Sequence, residues 1–398
     1  MQHLHARRFA DPVPRRLFYF PMFTPLLRCA CLAAVMSFCP LLRAADATPA
    51  AAVAPVDVLA KMEQAADWQL AHPFTKFPPT DWINAAFYTG LLALAETSPS
   101  PRFHDAMVAI AEGNAWQLGP LPFHADDHCV GQAYAELALR DARPERIAPM
   151  RARFDHILAN PRDHNFEFDK AKNPTRLERW SWCDSLFMAP PAFVRLAAAT
   201  GDTRYLDHAV TNWWATSDFL YDQDEHLFYR DSNFFAKREA NGAKVFWARG
   251  NGWVLAGLAR MLQFLPVDHA ARPRFEQQFR EMAAKVVTCQ QADGFWRASL
   301  LDPASFPAKE ASGTGFYTFA LTWGVNHGLL DRATYEPAAR RGWAALVSCQ
   351  QSDGKLTHVQ PVAGSPKSFS EDSAMPYGTG AFLLAGSEIY RLVGGAGR

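Results

Sequence analysis

Three short stretches carry residues that could do chemistry together. Residues 180–191, "WSWCDSLFMAPP", place Asp184 on an otherwise apolar segment beside Trp180 and Trp182. A carboxyl group withdrawn from water resists ionisation, so its pKa climbs toward the range a general acid needs near neutral pH. Asp is equally a preferred helix N-cap, and the position suits that role too. Residues 125–137, "ADDHCVGQAYAEL", add Asp126 and Asp127. One of these can cap a helix while the other faces a cavity, and a like charge near Asp184 would raise its pKa further. His128 is suited either to polarising a sugar hydroxyl or to satisfying a backbone group. Residues 247–253, "WARGNGW", combine a permanent cation, Arg249, with the flat faces of Trp247 and Trp253. A guanidinium fork binds carboxylates through two parallel hydrogen bonds, and aromatic faces pack on sugar C–H faces. Gly-Asn-Gly reads as a turn that lets the backbone approach a ligand. The competing reading is a structural ion pair wrapped in aromatics.

The elements that would position these groups follow from hydrophobic patterning. Segments near 82–96, 128–139, 183–200, 252–264, 315–328 and 377–391 are apolar on nearly all sides. Amphipathic segments near 56–70, 102–117, 144–158, 203–220, 270–290 and 331–350 alternate with them. A helix apolar all round must be buried, and an amphipathic one covers it. Twelve such helices predict an all-α (α/α)6 barrel, with six inner and six outer helices. "VVTCQQADG" at 286–294 recurs as "LVSCQQSDG" at 346–354, which gives a repeat of 60 residues and suits a stacked or toroidal array. An open helical solenoid with polar end caps is the alternative. In a barrel the turns ahead of the inner helices share one rim, and all three chemical stretches fall there.

Composition narrows the function. The chain has 398 residues, 49% hydrophobic and 13% aromatic, enough for a large core. Its 40 basic and 40 acidic residues argue against a nucleic-acid partner. No Cys-x-x-Cys or His-Glu-x-x-His pattern appears, so a zinc site is not expected. Residues 1–47 read as a signal peptide: Arg7, Arg8, Arg15 and Arg16 precede the apolar run from Leu26 to Leu42, and "ADA" follows at 45–47. Residues 48–55 read as a flexible leader and 56–398 as one catalytic domain. Export to the periplasm, with no membrane attachment after signal removal, is the expectation. The remaining cysteines, Cys129, Cys183, Cys289 and Cys349, read as small buried hydrophobes.

Four stretches, "WCDSLFMAPP", "WARGNGW", "KEASGTGFYTFAL" and "YGTGAFLLA", resemble the unsaturated uronyl hydrolases of glycoside hydrolase family 105, with family 88 a more distant relative. The resemblance spans nearly the whole chain beyond residue 47, in order. It implies the same six-hairpin barrel, no metal or cofactor, and an unsaturated uronyl oligosaccharide as partner. It also implies a reaction in which a carboxylic acid protonates C4 of a 4,5-unsaturated uronic acid and water adds at C5. Asp184 then matches the general acid/base. Asp127 or Asp126 matches a second site aspartate, with Asp127 taken as the catalytic one and Asp126 as substrate-binding. Trp247, Arg249 and Trp253 match residues lining the sugar, with the arginine on its carboxylate, and His128 and Trp182 join them as candidate substrate contacts. Two departures stand out. "HLFYRDSNFF" has Arg230 where rhamnogalacturonyl members carry histidine, and "DKAKNPTRLERW" lacks a histidine ahead of Asp184. Both fall where the aglycone or sugar hydroxyls are read, so they bear on the polysaccharide of origin. An inverting glycosidase, a sugar epimerase or a non-catalytic glycan-binding toroid would share the barrel.

Overall fold

Proline and aspartate set most of the helix starts. Pro55, Pro190 and Pro376 stand in the first turns of their helices, where the missing N–H costs nothing. Asp81, Asp202 and Asp331 cap three others by accepting a backbone N–H from the first turn. The computed structural model describes residues 53–395. The expected signal peptide and most of the leader lie outside them.

The outer helices are α1 (Pro55–Ala71), α3 (Arg102–Gly113), α5 (Ala148–Ala159), α8 (Thr203–Leu220), α10 (Arg272–Cys289) and α12 (Arg332–Val347). The inner ones are α2 (Trp82–Thr97), α4 (Gly131–Asp141), α6 (Ser185–Met188) continued by α7 (Pro190–Thr200), α9 (Ala248–Leu262), α11 (Ala311–Asn326) and α13 (Pro376–Leu392). Each inner helix packs on the next and α13 packs on α2, so the ring closes. That makes the fold an (α/α)6 barrel and rules out the open solenoid. A two-residue hairpin, β1 (Tyr221–Asp222) with β2 (Leu227–Phe228), lies in the α8–α9 connection. No helix among the described residues is long and apolar enough to cross a membrane. The four cysteines are buried and unpaired.

The repeated "CQQ" stretch shows how the outer ring closes. Gln290 Nε2 donates to the Ala338 carbonyl of α12 at 3.0 Å, and Gln350 Nε2 donates to the Lys61 carbonyl of α1 at 2.8 Å. One sequence device therefore ties each of these outer helices to the next, and its second copy joins the last to the first.

The structure departs from the expected elements at two kinds of place. The third inner helix is broken at Ala189, because Pro190 and Pro191 cannot donate to the preceding turn. And α9 and α11 start about a turn earlier than their apolar runs, so "ARGNG" and "ASGTG" are the first turns of helices and not turns ahead of them. Small residues there serve close packing: a Cβ on Gly250 would sit 3.0 Å from Cys183 Sγ. The inner ring is tightest where α2 crosses α13. A Cβ on Gly380 would lie 2.3 Å from the Ala86 carbonyl oxygen.

Gly380→Ala should therefore cost about 1–3 kcal/mol or more through forced separation of two inner helices. Gly113→Ala, at the end of α3 with nothing within 4 Å of the added carbon, should be neutral or slightly stabilising. Urea midpoints of the two variants check the contrast.

Candidate active site

The inner helices run parallel, so their N-terminal ends gather at one rim, each carrying the positive end of its dipole. Asp184 occupies the N-cap position of α6, yet its side chain accepts no capping hydrogen bond. The cap reading fails, and the carboxyl group is left for the rim. It is 9% exposed, and Cys183 Sγ lies 3.4 Å from its Oδ2. Burial raises its pKa, while the charges of Arg230 and Arg249 pull the other way.

Asp126 and Asp127 lie in a single 3-10 turn, Ala125–His128, and neither caps it. They point to different work. Asp126 is pushed up to about 7, by burial first and then, against the opposing charge of His124, by the charge of Asp184. The rise that the Asp184 charge causes in Asp126 is the like-charge effect expected of two nearby carboxyl groups. Asp127 is turned into the protein. Its Oδ2 takes a 2.8 Å hydrogen bond from His124 Nδ1, its backbone carbonyl accepts from Gly119 N at 3.0 Å, and a Cβ on Gly119 would fall 1.9 Å from its Oδ1. Asp126 thus lies within reach of the Asp184 charge, whereas Asp127, expected to be the catalytic partner, holds His124.

His128 is not at the rim surface. Its ring lies edge-on to Phe154 and Phe193, its Nε2 meets the Pro122 carbonyl at 2.8 Å, and burial lowers its pKa to about 4. It is a neutral core histidine between the two layers. His124, three residues before Asp127, is the histidine beside the carboxylates, and Trp182 carries it: the two rings stack at 5.4 Å and 28°. Trp182 is buried between His124 and Phe168.

Arg230 enters the site through the β-hairpin. Its carbonyl accepts from Cys183 N at 2.8 Å, which pins the chain beyond β2 to the residue before Asp184. Its Nε lies 3.8 Å from Asp184 Oδ2 and its Nη1 2.6 Å from Asp231 Oδ2. The guanidinium sits 4.5 Å from the Phe168 ring centre, with 20% of the side chain exposed. The residue that stood out only as a departure is a direct neighbour of Asp184.

The "WARGNGW" stretch is a scaffold more than an open clamp. Arg249 is buried, donates to the carbonyls of Gln360 and Pro361, and packs its guanidinium on Trp247 and Tyr377. Only its Nε lacks a hydrogen-bond partner among the described residues. Trp247 donates to Gln360 Oε1 at 2.8 Å. Trp253 is fully buried among Phe187, Phe316 and Trp82. Asn251 accepts from Phe228 N at 2.7 Å and donates to the Phe228 and Trp247 carbonyls, so it holds the hairpin that delivers Arg230. Two organising residues were not singled out from the sequence, although Glu310 lies within the stretch "KEASGTGFYTFAL". Glu310 is buried and takes backbone hydrogen bonds from Ser312, Gly313 and Gln360, and Gln360 lies in a loop without periodicity. Among the described residues no group of three or more His, Cys, Asp and Glu is placed to hold a metal ion.

Fold and carboxyl-bearing rim together are those of a glycosidase built on six helical hairpins. Residues 56–393 match the model of Glycosyl Hydrolase Family 88, and the chain belongs to that family. It is 41% identical over 344 residues to an unsaturated 3S-rhamnoglycuronyl hydrolase of Formosa agariphila, covering 84% of this chain and 91% of that one. A protein of the same name from an Alteromonas species is 35% identical over 347 residues, covering 82% and 84%. A solved structure of a family 88 hydrolase from Bacteroides vulgatus superposes with a TM-score of 0.77 at 26% identity, over 85% of this chain and 99% of that one. A non-catalytic toroid is thereby set aside.

Asn251→Ala leaves buried backbone groups of Phe228 and Trp247 without partners and should cost about 1–3 kcal/mol. It should also lower activity by loosening Arg230 from Asp184. Denaturation midpoints read the first effect. Asn251→Asp, which keeps the acceptor for Phe228 N and loses both donors, should fall between the wild type and the alanine variant.

Proposed function

We propose that this glycosidase removes a 4,5-unsaturated uronic acid from the non-reducing end of oligosaccharides left by polysaccharide lyases. Asp184 serves as general acid and base. The observation that carries this reading is a buried, uncapped Asp184 beside a second raised carboxyl, Asp126, under the charges of Arg230 and Arg249. The names of the Formosa and Alteromonas relatives support the unsaturated uronyl substrate, and an unsaturated rhamnoglycuronyl oligosaccharide is the first candidate. The four motifs favour the family 105 branch. The pattern of residues 1–47 supports export to the periplasm.

Burial raises Asp184, as it does Asp126, so Asp184 can carry a proton above the usual carboxylate range. That proton goes to C4 of the vinyl ether, and positive charge develops at C5, shared with the ring oxygen. Water adds at C5 and gives its proton back to the Asp184 carboxylate. The hemiketal opens to a ketone at C5 and a hydroxyl at C1, and the hemiacetal at C1 then releases the aglycone as an alcohol and leaves an aldehyde. No glycosyl–enzyme bond forms, so the carboxylate spacing that separates retaining from inverting glycosidases does not govern the outcome.

Arg249 is buried with both terminal nitrogens donating to backbone carbonyls, so the substrate carboxylate, assigned to it on the motif, is better met by Arg230, which keeps an exposed edge. Arg249 contributes charge at a distance. Trp253 and Trp247 are too deeply buried to stack a sugar, and Trp82, half-buried at the start of α2 and stacked on Tyr377 at 5.4 Å, is the better face.

Unsaturated disaccharides made by lyases of different specificity test this through loss of their conjugated ultraviolet absorbance. Asp184→Asn should cut kcat by about 10²–10⁴-fold with the fold intact. The acid is needed in its protonated form and burial raises its pKa, so kcat/KM should decline along an alkaline limb displaced upward from the usual carboxylate range. Arg230→Gln should raise KM more than it lowers kcat. No loss of absorbance with any substrate, or a gain on intact polysaccharide, would overturn the reading.

A further inference from the structure

The His124 ring touches a carboxylate at each nitrogen. Its Nδ1 lies 2.8 Å from Asp127 Oδ2 and its Nε2 lies 3.8 Å from Asp126 Oδ2. The first contact is a hydrogen bond; the second is too long for one, so Asp126 meets the ring through charge and not through a shared proton. The ring cannot swing freely, because it stacks on Trp182. Asp127 is held to the ring by that hydrogen bond and packs directly over Gly119, where any side chain would displace it. The imidazole is therefore held in place by a carboxylate with no other evident task, and its Nε2 edge lies toward Asp126.

We propose that His124, oriented by Asp127, is a positioning residue for Asp126: its ring, fixed between the two aspartates, supplies the counter-charge against which Asp126 gives up its proton. The inference rests on the reading of Asp184 as the acid. It assigns work to Asp127 that neither capping nor substrate contact explains.

The surrounding charges fit this role. Asp81 at the start of α2, with Asp126 and Asp127 on the 3-10 turn, supplies negative charge on the His124 side, and Asp184 faces Asp126 from α6. Arg230 from the hairpin and Arg249 from α9 bear on Asp184, and Arg153 of α5 acts on His128 behind the turn. Burial works against a charged His124, but the Asp127 hydrogen bond and the charges of Asp126, Asp127 and Asp81 outweigh it, so its pKa is raised. His124 in turn pulls Asp126 down against burial and the Asp184 charge. Cations thus stand at both ends of the pair: Arg230 beside Asp184 and His124 beside Asp126. Without His124, Asp126 would lose the larger of the two positive charges that act on it, keep only that of Arg230, and hold its proton to higher pH.

Two variants and two readouts test the proposal. His124→Gln keeps a polar side chain of similar size and removes the cation. Gly119→Ala keeps every charge and pushes Asp127 off the ring. In each, the alkaline limb of kcat/KM should move up, by about one pH unit for His124→Gln and by less for Gly119→Ala, and activity at the optimum should fall. The second readout needs no substrate. In protein carrying carbon-13 aspartate, with the Asp126 signal assigned through Asp126→Asn, the Asp126 inflection should rise by a similar amount in His124→Gln. If activity falls while neither the limb nor the inflection moves in either variant, His124 only fills space and the proposal is overturned. If the wild type consumes no unsaturated substrate, the functional reading fails by itself, and the Asp126 inflection still decides the role of His124.

Discussion

The rim is hung from one buried amide. Gln360 is 1% exposed, and every polar atom it owns is engaged. Its carbonyl accepts from Arg249 of α9 and from the Tyr377 hydroxyl of α13, its N–H donates to Glu310 ahead of α11, its Oε1 accepts from Trp247, and its Nε2 donates to the Ser365 carbonyl at 3.0 Å. Three inner helices thus grip the same residue of the α12–α13 loop. A buried polar group without a partner costs about 1–3 kcal/mol. A network whose members all depend on one another is therefore kept whole or lost together. The wall opposite Asp184 is rigid for that reason. Arg249 and Glu310, opposite charges buried near each other, are tolerated because each has several hydrogen-bond partners.

The barrel was legible in the sequence because its inner and outer helices obey opposite solvent rules, and burial is what hydrophobic patterning records. All six inner and six outer segments formed helices, and the "CQQ" repeat proved to be a structural joint. Helix starts were less legible. Gly250, Asn251, Gly313 and Thr314 have turn-forming chemistry, but crowding between inner helices, not turn geometry, selects small residues there, and tertiary packing overrides local propensity. At the site, Asp184 and the importance of residues 247–253 could be read from their unusual composition. The choice between His124 and His128 could not. Both flank the same aspartates, and which one faces the rim depends on the pitch of a single 3-10 turn. Gln360 could not be read at all, since nothing local distinguishes a glutamine that closes a network from one in a solvated loop.

The two arginines show how one charge type is divided between two tasks. An acid that works near neutral pH needs burial to raise its pKa, yet burial of two carboxyl groups without counter-charge would keep both protonated and leave no base. Some cation must stand close. Arg249 supplies charge at a distance while its N–H groups are fixed on backbone carbonyls, so it cannot collapse onto Asp184 and quench it. Arg230 stands nearer, but Asp231 holds its Nη1 and Phe168 covers a face, which leaves 3.8 Å between its Nε and Asp184. That gap is longer than a hydrogen bond, so the carboxyl group feels the charge without being neutralised by it. A direct Arg–Asp fork at this place would depress Asp184 into the ordinary salt-bridge range and disable it as an acid. The same constraint accounts for Asn251. By fixing the backbone of Phe228 to the first turn of α9, it sets the reach of the hairpin and hence the distance at which Arg230 stops. The "WARGNGW" stretch therefore governs the chemistry without touching the reacting atoms: it fixes where the nearer cation stands, and that position decides whether Asp184 can hold a proton worth transferring.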